Sequence, residues 1–164
     1  MTASLPDANA LIESLAAAIA PAFDPDTLIV GIHTGGVWIA ERLHALLRAR
    51  HPVGQLDISF YRDDFSRIGL HPQVKPSSLP VDLEGRAILL VDDVLYTGRT
   101  IRAAMNELFD YGRPASIRLA VLIDRGGREL PIRPDYAGAA LDVPAHQNIH
   151  LSRLDDGHLT LSIA

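Results

Sequence analysis

The chain has no cysteine in its 164 residues. That excludes disulfides, a thiolate metal site and a cysteine nucleophile. Lys and Arg are missing before Arg42, so the start lacks the basic n-region of a secretory leader. Long apolar runs are missing as well. The Ala-rich stretch from Leu11 to Ala20 contains Glu13 and is far too short to cross a bilayer. The expectation is a cytoplasmic protein with no membrane partner. Positive charge is in deficit: the formal net charge is −5, which argues against bulk nucleic-acid binding but leaves room for a local basic patch. Neither a Walker loop, G-x-x-x-x-G-K-[ST], nor a Rossmann G-x-G-x-x-G occurs. The seven His are scattered, and no zinc site built by the protein is expected. With 48% apolar and 21% charged residues, the composition is that of an ordinary globule, and the length suits a single domain over residues 1–164.

What is present is concentrated between Ala87 and Thr100, A-I-L-L-V-D-D-V-L-Y-T-G-R-T. An apolar run, Ala87 to Val91, ends in two carboxylates, Asp92 and Asp93. The turn Thr97-Gly98-Arg99-Thr100 follows and opens into an amphipathic segment. Alone, two Asp after a strand make a common solvated turn, and T-G-x-T is a common helix cap. In this order they suit a molecule carrying both a phosphate and a ribose diol. A helix start offers unpaired N–H groups and the positive end of its dipole to a phosphate. Gly98 permits close backbone approach, and the Thr hydroxyls add donors. The carboxylates are acceptors for vicinal hydroxyls at the C-terminal edge of a strand, where open α/β sheets bind ligands.

Along the rest of the chain, Asp7 can cap a first helix with Leu11, Leu15, Ala18 and Ile19 inward, stopped by Pro21 and D-P-D. Leu28 to Ile32 reads as a buried strand. Val37 to about Arg50 reads as a helix with Ile39, Leu43, Leu46 and Leu47 inward. Leu56 to Tyr61 has strand character. The helix from Thr100 to Tyr111 repeats Ile101, Met105, Leu108 and Phe109 at helical spacing, with Gly112 suited to the left-handed position and Pro114 preventing continuation. Ile117 to Ile123 is a further buried strand. Alternating strands and helices predict a mainly parallel sheet flanked by helices. Asn148 to Leu154 and His158 to Ile163 flank Asp156-Gly157 as a hairpin. Residues 62–80 are polar, contain Pro72, Pro76 and Pro80, and show no periodicity, the pattern of a lid loop or a disordered insertion; a position between two strands whose ends should meet the ligand favours the lid. Gly31-Ile32-His33-Thr34-Gly35-Gly36 is a second turn between strand and helix, able to form an anion nest.

V-D-D-V-L-Y-T-G-R-T, D-R-G-G-R-E-L-P-I-R at Asp124 to Arg133 and D-I-S-F-Y-R-D-D at Asp57 to Asp64 together resemble the PyrR family. These are type I phosphoribosyltransferases that make UMP from uracil and phosphoribosyl pyrophosphate (PRPP), and many regulate pyrimidine operons by binding mRNA. The likeness runs from about Leu28 to about Tyr136. It implies the type I phosphoribosyltransferase fold with a lid and a small hood, homodimers or homotetramers, and Mg²⁺ arriving with PRPP rather than held by protein alone. It further implies that Asp92 and Asp93 hold the ribose hydroxyls, directly or through Mg²⁺, with Arg62 beside the reacting centre. Val94, Leu95, Tyr96, Thr97, Gly98, Arg99 and Thr100 would surround the 5′-phosphate. Thr34, Gly35 and Gly36 would take pyrophosphate, Arg125 would contact substrate near the base or pyrophosphate, and Val143 would frame the base. Arg128 and Arg133 match arginines of the RNA face.

Two departures stand out. Gly35 occupies the place of a family arginine, removing a cationic contact to pyrophosphate. Ala16, Ala17 and Ala20 occupy a helix stretch where RNA-binding members carry polar or basic residues. An enzyme and a nucleotide-sensing RNA-binding attenuator with weak catalysis therefore both stay open. So does a purine or orotate phosphoribosyltransferase, since spacing alone does not specify the base.

Overall fold

A computed structural model describes residues 5–58 and 77–164. Its elements are α1 (Ala8–Ile19), a 3₁₀ turn (Ala20–Ala22), β1 (Leu28–Ile32), α2 (Gly35–Leu47) and β2 (Gly54–Leu56). They are followed by β3 (Ala87–Leu95), α3 (Arg99–Tyr111), β4 (Ser116–Asp124), β5 (Tyr136–Ala140), β6 (Ile149–Arg153) and β7 (Leu159–Ile163). The first five strands form one sheet in the order β2-β1-β3-β4-β5, and every neighbouring pair is parallel. β6 and β7 make a separate antiparallel hairpin, whose turn holds Gly157 at φ 90°.

A parallel strand buried on both faces needs apolar side chains on both sides, and the alternation of a strand sends them to opposite layers. Ile29, Leu89 and Leu122 pack with α1, α2 and the hairpin. Leu28, Val30, Ile32, Ile88, Leu90 and Val121 pack with Ile101, Ala104 and Leu108 of α3. The expected layer architecture is present.

Several boundaries differ from the sequence expectation. In α1, Ala18 is exposed, and the inward face is Ala8, Ile12, Leu15, Ala16 and Ile19. Asp7 does cap α1, accepting from the Asn9 N–H at 3.3 Å. α2 starts two residues earlier than expected and closes on left-handed Arg48, and Leu46 is 51% exposed rather than inward. β2 ends at Leu56; the remainder of its expected run beyond Ile58 lies outside the described residues. Gly112 is extended, at φ 159° and ψ −168°, rather than left-handed. β5, Y-A-G-A-A, was not expected, because three Ala and a Gly give no alternating apolar signal. Most of the expected lid, Arg62 included, lies outside the described residues. At its end, Ser78 exchanges two backbone hydrogen bonds of 2.8 Å with Gln55.

Candidate active site

Strand order places the site. β1 leads through α2 to β2 on one side of the sheet, and β3 leads through α3 to β4 on the other. The direction of winding reverses between β1 and β3, and in an open α/β sheet that reversal opens a crevice at the C-terminal strand ends. The turn 33–36 and the pair Asp92 and Asp93 occupy this crevice.

The acidic pair belongs to the strand rather than following it. β3 keeps its register with β4 through Asp92↔Val121, Val94↔Ile123 and Leu95↔Asp124. Asp92 is only 6% exposed, and Asp93 is half-buried. One oxygen of Asp92 accepts from the Asp93 N–H at 2.9 Å, and one oxygen of Asp93 accepts from the Val94 N–H at 2.8 Å. These bonds fix the direction of both carboxylates.

The glycines of the first turn let it reach that pair. A Cβ on Gly36 would stand 2.5 Å from the Val91 carbonyl oxygen, and one on Gly35 would stand 2.4 Å from Asp93 Oδ2. The start of α2 therefore presses directly against the end of β3. The His33–Thr34 peptide is cis. His33 Nε2 pairs with Gln55 Oε1 at 2.9 Å, so this ring is tied to β2 rather than standing free at the surface.

The second turn leads into α3. Gly98 takes φ 95°, where a side chain would be strained, and the Thr97 hydroxyl accepts from the Arg99 N–H at 3.2 Å. The D-R-G-G-R-E-L-P-I-R segment braces this turn. The Thr97 carbonyl accepts from the N–H groups of Glu129 at 2.9 Å and Leu130 at 3.2 Å. Arg99 pairs with Glu129 at 3.1 Å. Arg128 donates to the Tyr96 carbonyl at 2.7 Å and to both oxygens of Asp124 at 2.8 Å. Burial pulls the Asp124 carboxyl upward, but the Arg128 fork, the Gly126 N–H and the Arg128 charge outweigh it and hold the group below its ordinary value.

Arg125, expected near the base or pyrophosphate, is 6% exposed. Its guanidinium donates to the carbonyls of Gln147, Val143 and Pro144 at 2.9–3.3 Å and stacks 4.0 Å from the Tyr96 ring centroid. Arg125 also lines a cavity of about 420 Å³ at the ends of β4 and β5, with Asp124, Gly126, Ala140, Leu141 and Asp142. Of those, only Arg125 was singled out from sequence. Asp124 carried a usable signal, since it ends an apolar strand as Asp92 does. Ala140 to Asp142 carry none, because the Y-A-G-A-A of β5 has no alternating apolar pattern. Arg133 is exposed; Ala16 is buried and Ala17 and Ala20 are exposed. His146 and His150 stand four residues apart, but among the described residues no group of three His, Cys, Asp or Glu could hold a metal. No helix of the described residues is long and apolar enough to cross a membrane.

The family model of the phosphoribosyl transferase domain matches residues 3–150. A protein of Pseudomonas fluorescens called bifunctional protein PyrR is 54% identical over 153 residues, covering 91% of each chain. The chain belongs to the PyrR family of phosphoribosyltransferases. A second member, from Nitrosococcus oceani, is 58% identical over 129 residues, 77% of this chain and 73% of its own. Among solved structures, the purine phosphoribosyltransferase of Pyrococcus horikoshii Ot3 is similar at a TM-score of 0.64 and 26% identity, covering 82% of this chain and 83% of its own. A hypoxanthine phosphoribosyltransferase of Staphylococcus aureus shares the fold at a TM-score of 0.64 and 21% identity, over 85% of this chain and 75% of its own. The parallel sheet and flanking helices are those of this family's fold.

Proposed function

We propose that the protein transfers the phosphoribosyl group of PRPP to uracil, giving UMP and pyrophosphate. The observation that carries this is the meeting of three elements at one reversal of the sheet: the acidic pair, the Gly35-Gly36 turn and the Thr97–Thr100 turn. Asp92 and Asp93 take the ribose 2′- and 3′-hydroxyls. Residues from Val94 to Thr100 surround the 5′-phosphate at the start of α3, where N–H groups and the helix dipole favour an anion. Thr34, Gly35 and Gly36 receive pyrophosphate. The cavity beside Arg125 and Val143 receives the base, and Arg62, which lies outside the described residues, is a further substrate contact. The C1–oxygen bond breaks as pyrophosphate leaves with the bonding pair, and uracil N1 bonds to C1 with inversion, its N1 proton passing to the departing pyrophosphate or to solvent. Positive charge developing on the sugar is stabilised by two oriented carboxylates, so catalysis is positioning and electrostatics with no covalent nucleophile.

The donor set suits Mg²⁺: two carboxylates in the crevice supply hard oxygen ligands and leave the rest of the shell to the substrate. The ion would supply charge neutralisation on pyrophosphate, with Asp92 and Asp93 as its protein contacts. We place the whole chain in one domain, in the cytoplasm, as a homodimer or homotetramer.

Incubation with PRPP, Mg²⁺ and a panel of uracil, orotate, hypoxanthine and guanine tests the reading. UMP from uracil alone is expected. Turnover of a purine or orotate with none of uracil would overturn the base assignment.

A second reading has one observation in its favour. The pyrophosphate turn contains no Lys or Arg, and its Gly35 lies against an Asp93 carboxylate, an arrangement weak in cationic grip and suited to sensing nucleotide for mRNA regulation. Of the two arginines of the RNA face, Arg128 is committed to Asp124 and Tyr96, which leaves the exposed Arg133 as the contact. A salt-dependent gel shift of pyrimidine leader RNA, weakened by Arg133→Ala, is expected on this reading. No shift at low salt would remove it.

A further inference from the structure

Arg125 is a buried cation that, among the described residues, makes no ion pair. The nearest acid in sequence, Asp124, is taken by Arg128 at 2.8 Å. A guanidinium removed from water without a carboxylate is costly unless its hydrogen bonds are supplied. Here Nη1 and Nη2 find three carbonyls, of Gln147, Val143 and Pro144. The flat face finds the Tyr96 ring at 4.0 Å, and Nε is buried with no partner. An apolar side chain would fill this volume with less penalty, so the planar fork is used for what it joins.

Its two ends are functionally different. Tyr96 opens the turn that holds the 5′-phosphate. Residues 143–147 follow Asp142, a wall of the base cavity. The ring cannot easily tilt away from the guanidinium. Arg128 holds the Tyr96 carbonyl at 2.7 Å, and a Cβ on Gly127 would stand 2.3 Å from Tyr96 Cε1. Gly127, at φ 74°, therefore leaves space for the ring to lie where Arg125 needs it.

We infer that Arg125 is a positioning residue that couples the 5′-phosphate turn, through the Tyr96 ring, to residues 143–147, the hood segment next to the base cavity. This rests on the proposed assignment of phosphate to 96–100 and base to the cavity. A phosphate that orders the turn fixes the ring, the ring fixes the guanidinium, and its fork fixes the hood carbonyls. Coupling between two such sites is reciprocal.

The test uses the full chain and ribose 5-phosphate, which carries no base, with amide hydrogen exchange read at Gln147, whose N–H donates to the Pro144 carbonyl at 2.9 Å. In the unaltered protein, saturating ribose 5-phosphate should slow this exchange by at least about 5-fold, the low end of usual site coupling. Tyr96→Phe, which keeps the ring, should preserve the slowing. Tyr96→Ala and Arg125→Met should abolish it when each variant is brought to calorimetric saturation, at whatever higher ribose 5-phosphate concentration its weakened affinity requires. If Arg125→Met does not fold, Tyr96→Ala decides, because its half-buried ring is not core. Equal slowing in Tyr96→Ala, or none in the unaltered protein with ligand bound, overturns the coupling. Failure of ribose 5-phosphate to bind at all overturns the phosphate assignment and the coupling with it. Coupling in a protein that makes no UMP from uracil overturns the base assignment alone.

Discussion

At the residue scale the site depends on where two carboxylates point. Asp93 has one oxygen on the Val94 N–H and the other over Gly35, so its charge is held without further rearrangement. Asp93→Asn keeps the shape and removes the charge. Turnover should fall by about 10²–10³-fold, the usual loss for one preorganised electrostatic contact, with thermal unfolding nearly unchanged; unaltered rates would take this carboxylate out of the chemistry. The other informative pair is Asp124 and Arg128. Because the folded carboxyl titrates below its ordinary value of 3.8, its contribution to stability is complete above that value and is lost as pH falls through the lower, folded one. Arg128→Gln should therefore unfold at lower temperature than the unaltered protein at about pH 7, and the gap should narrow as the pH drops below about 4, leaving the part that the Tyr96 carbonyl contact contributes. Calorimetric scans across that range check it, and a gap independent of pH would refute the pairing.

At the element scale, the start of α2 and the end of β3 are one structural feature. Gly36 allows the helix to meet the Val91 carbonyl, so Gly36→Ala forces backbone apart where nothing flexible can yield. Overpacking of this kind costs about 1–3 kcal/mol, which should lower the melting temperature by roughly 3–10 °C in a domain of this size. It should also weaken PRPP binding, because the turn and the acidic pair separate together. The existence of most elements was legible in sequence: α1 with its Asp7 cap, β1, α3, β4 and the D-G hairpin each carry a periodicity or a stop signal. Spacing alone does not decide exposure. Ala18 and Leu46 fit helical spacing but face solvent, and β5 has almost no apolar contrast, because Gly138 is needed where a Cβ would meet the Leu122 carbonyl at 2.6 Å.

At the scale of the whole molecule, the crevice collects turns from β1, β3, β4 and β5, so a ligand that fills it binds only the folded chain. UMP or PRPP with Mg²⁺ at a hundred times its dissociation constant should add about 2.7 kcal/mol, raising the melting temperature by roughly 5–10 °C; differential scanning calorimetry with and without ligand measures it. A shift of this size with uridine but not with ribose 5-phosphate would contradict the phosphate assignment. The acidic pair, the two glycine turns and the alternation of strand and helix could be identified from the sequence by itself, because each is local chemistry written in neighbouring residues. Only the tertiary structure decided that the Gly35 turn lies against Asp93, that Arg128 is taken by Asp124, and that Arg125 spans from Tyr96 to the hood. The first and third are contacts between segments far apart in the chain, fixed by strand order and close packing, which no local pattern encodes. The second spans only four residues, but it forms because the segment after β4 folds back toward Tyr96.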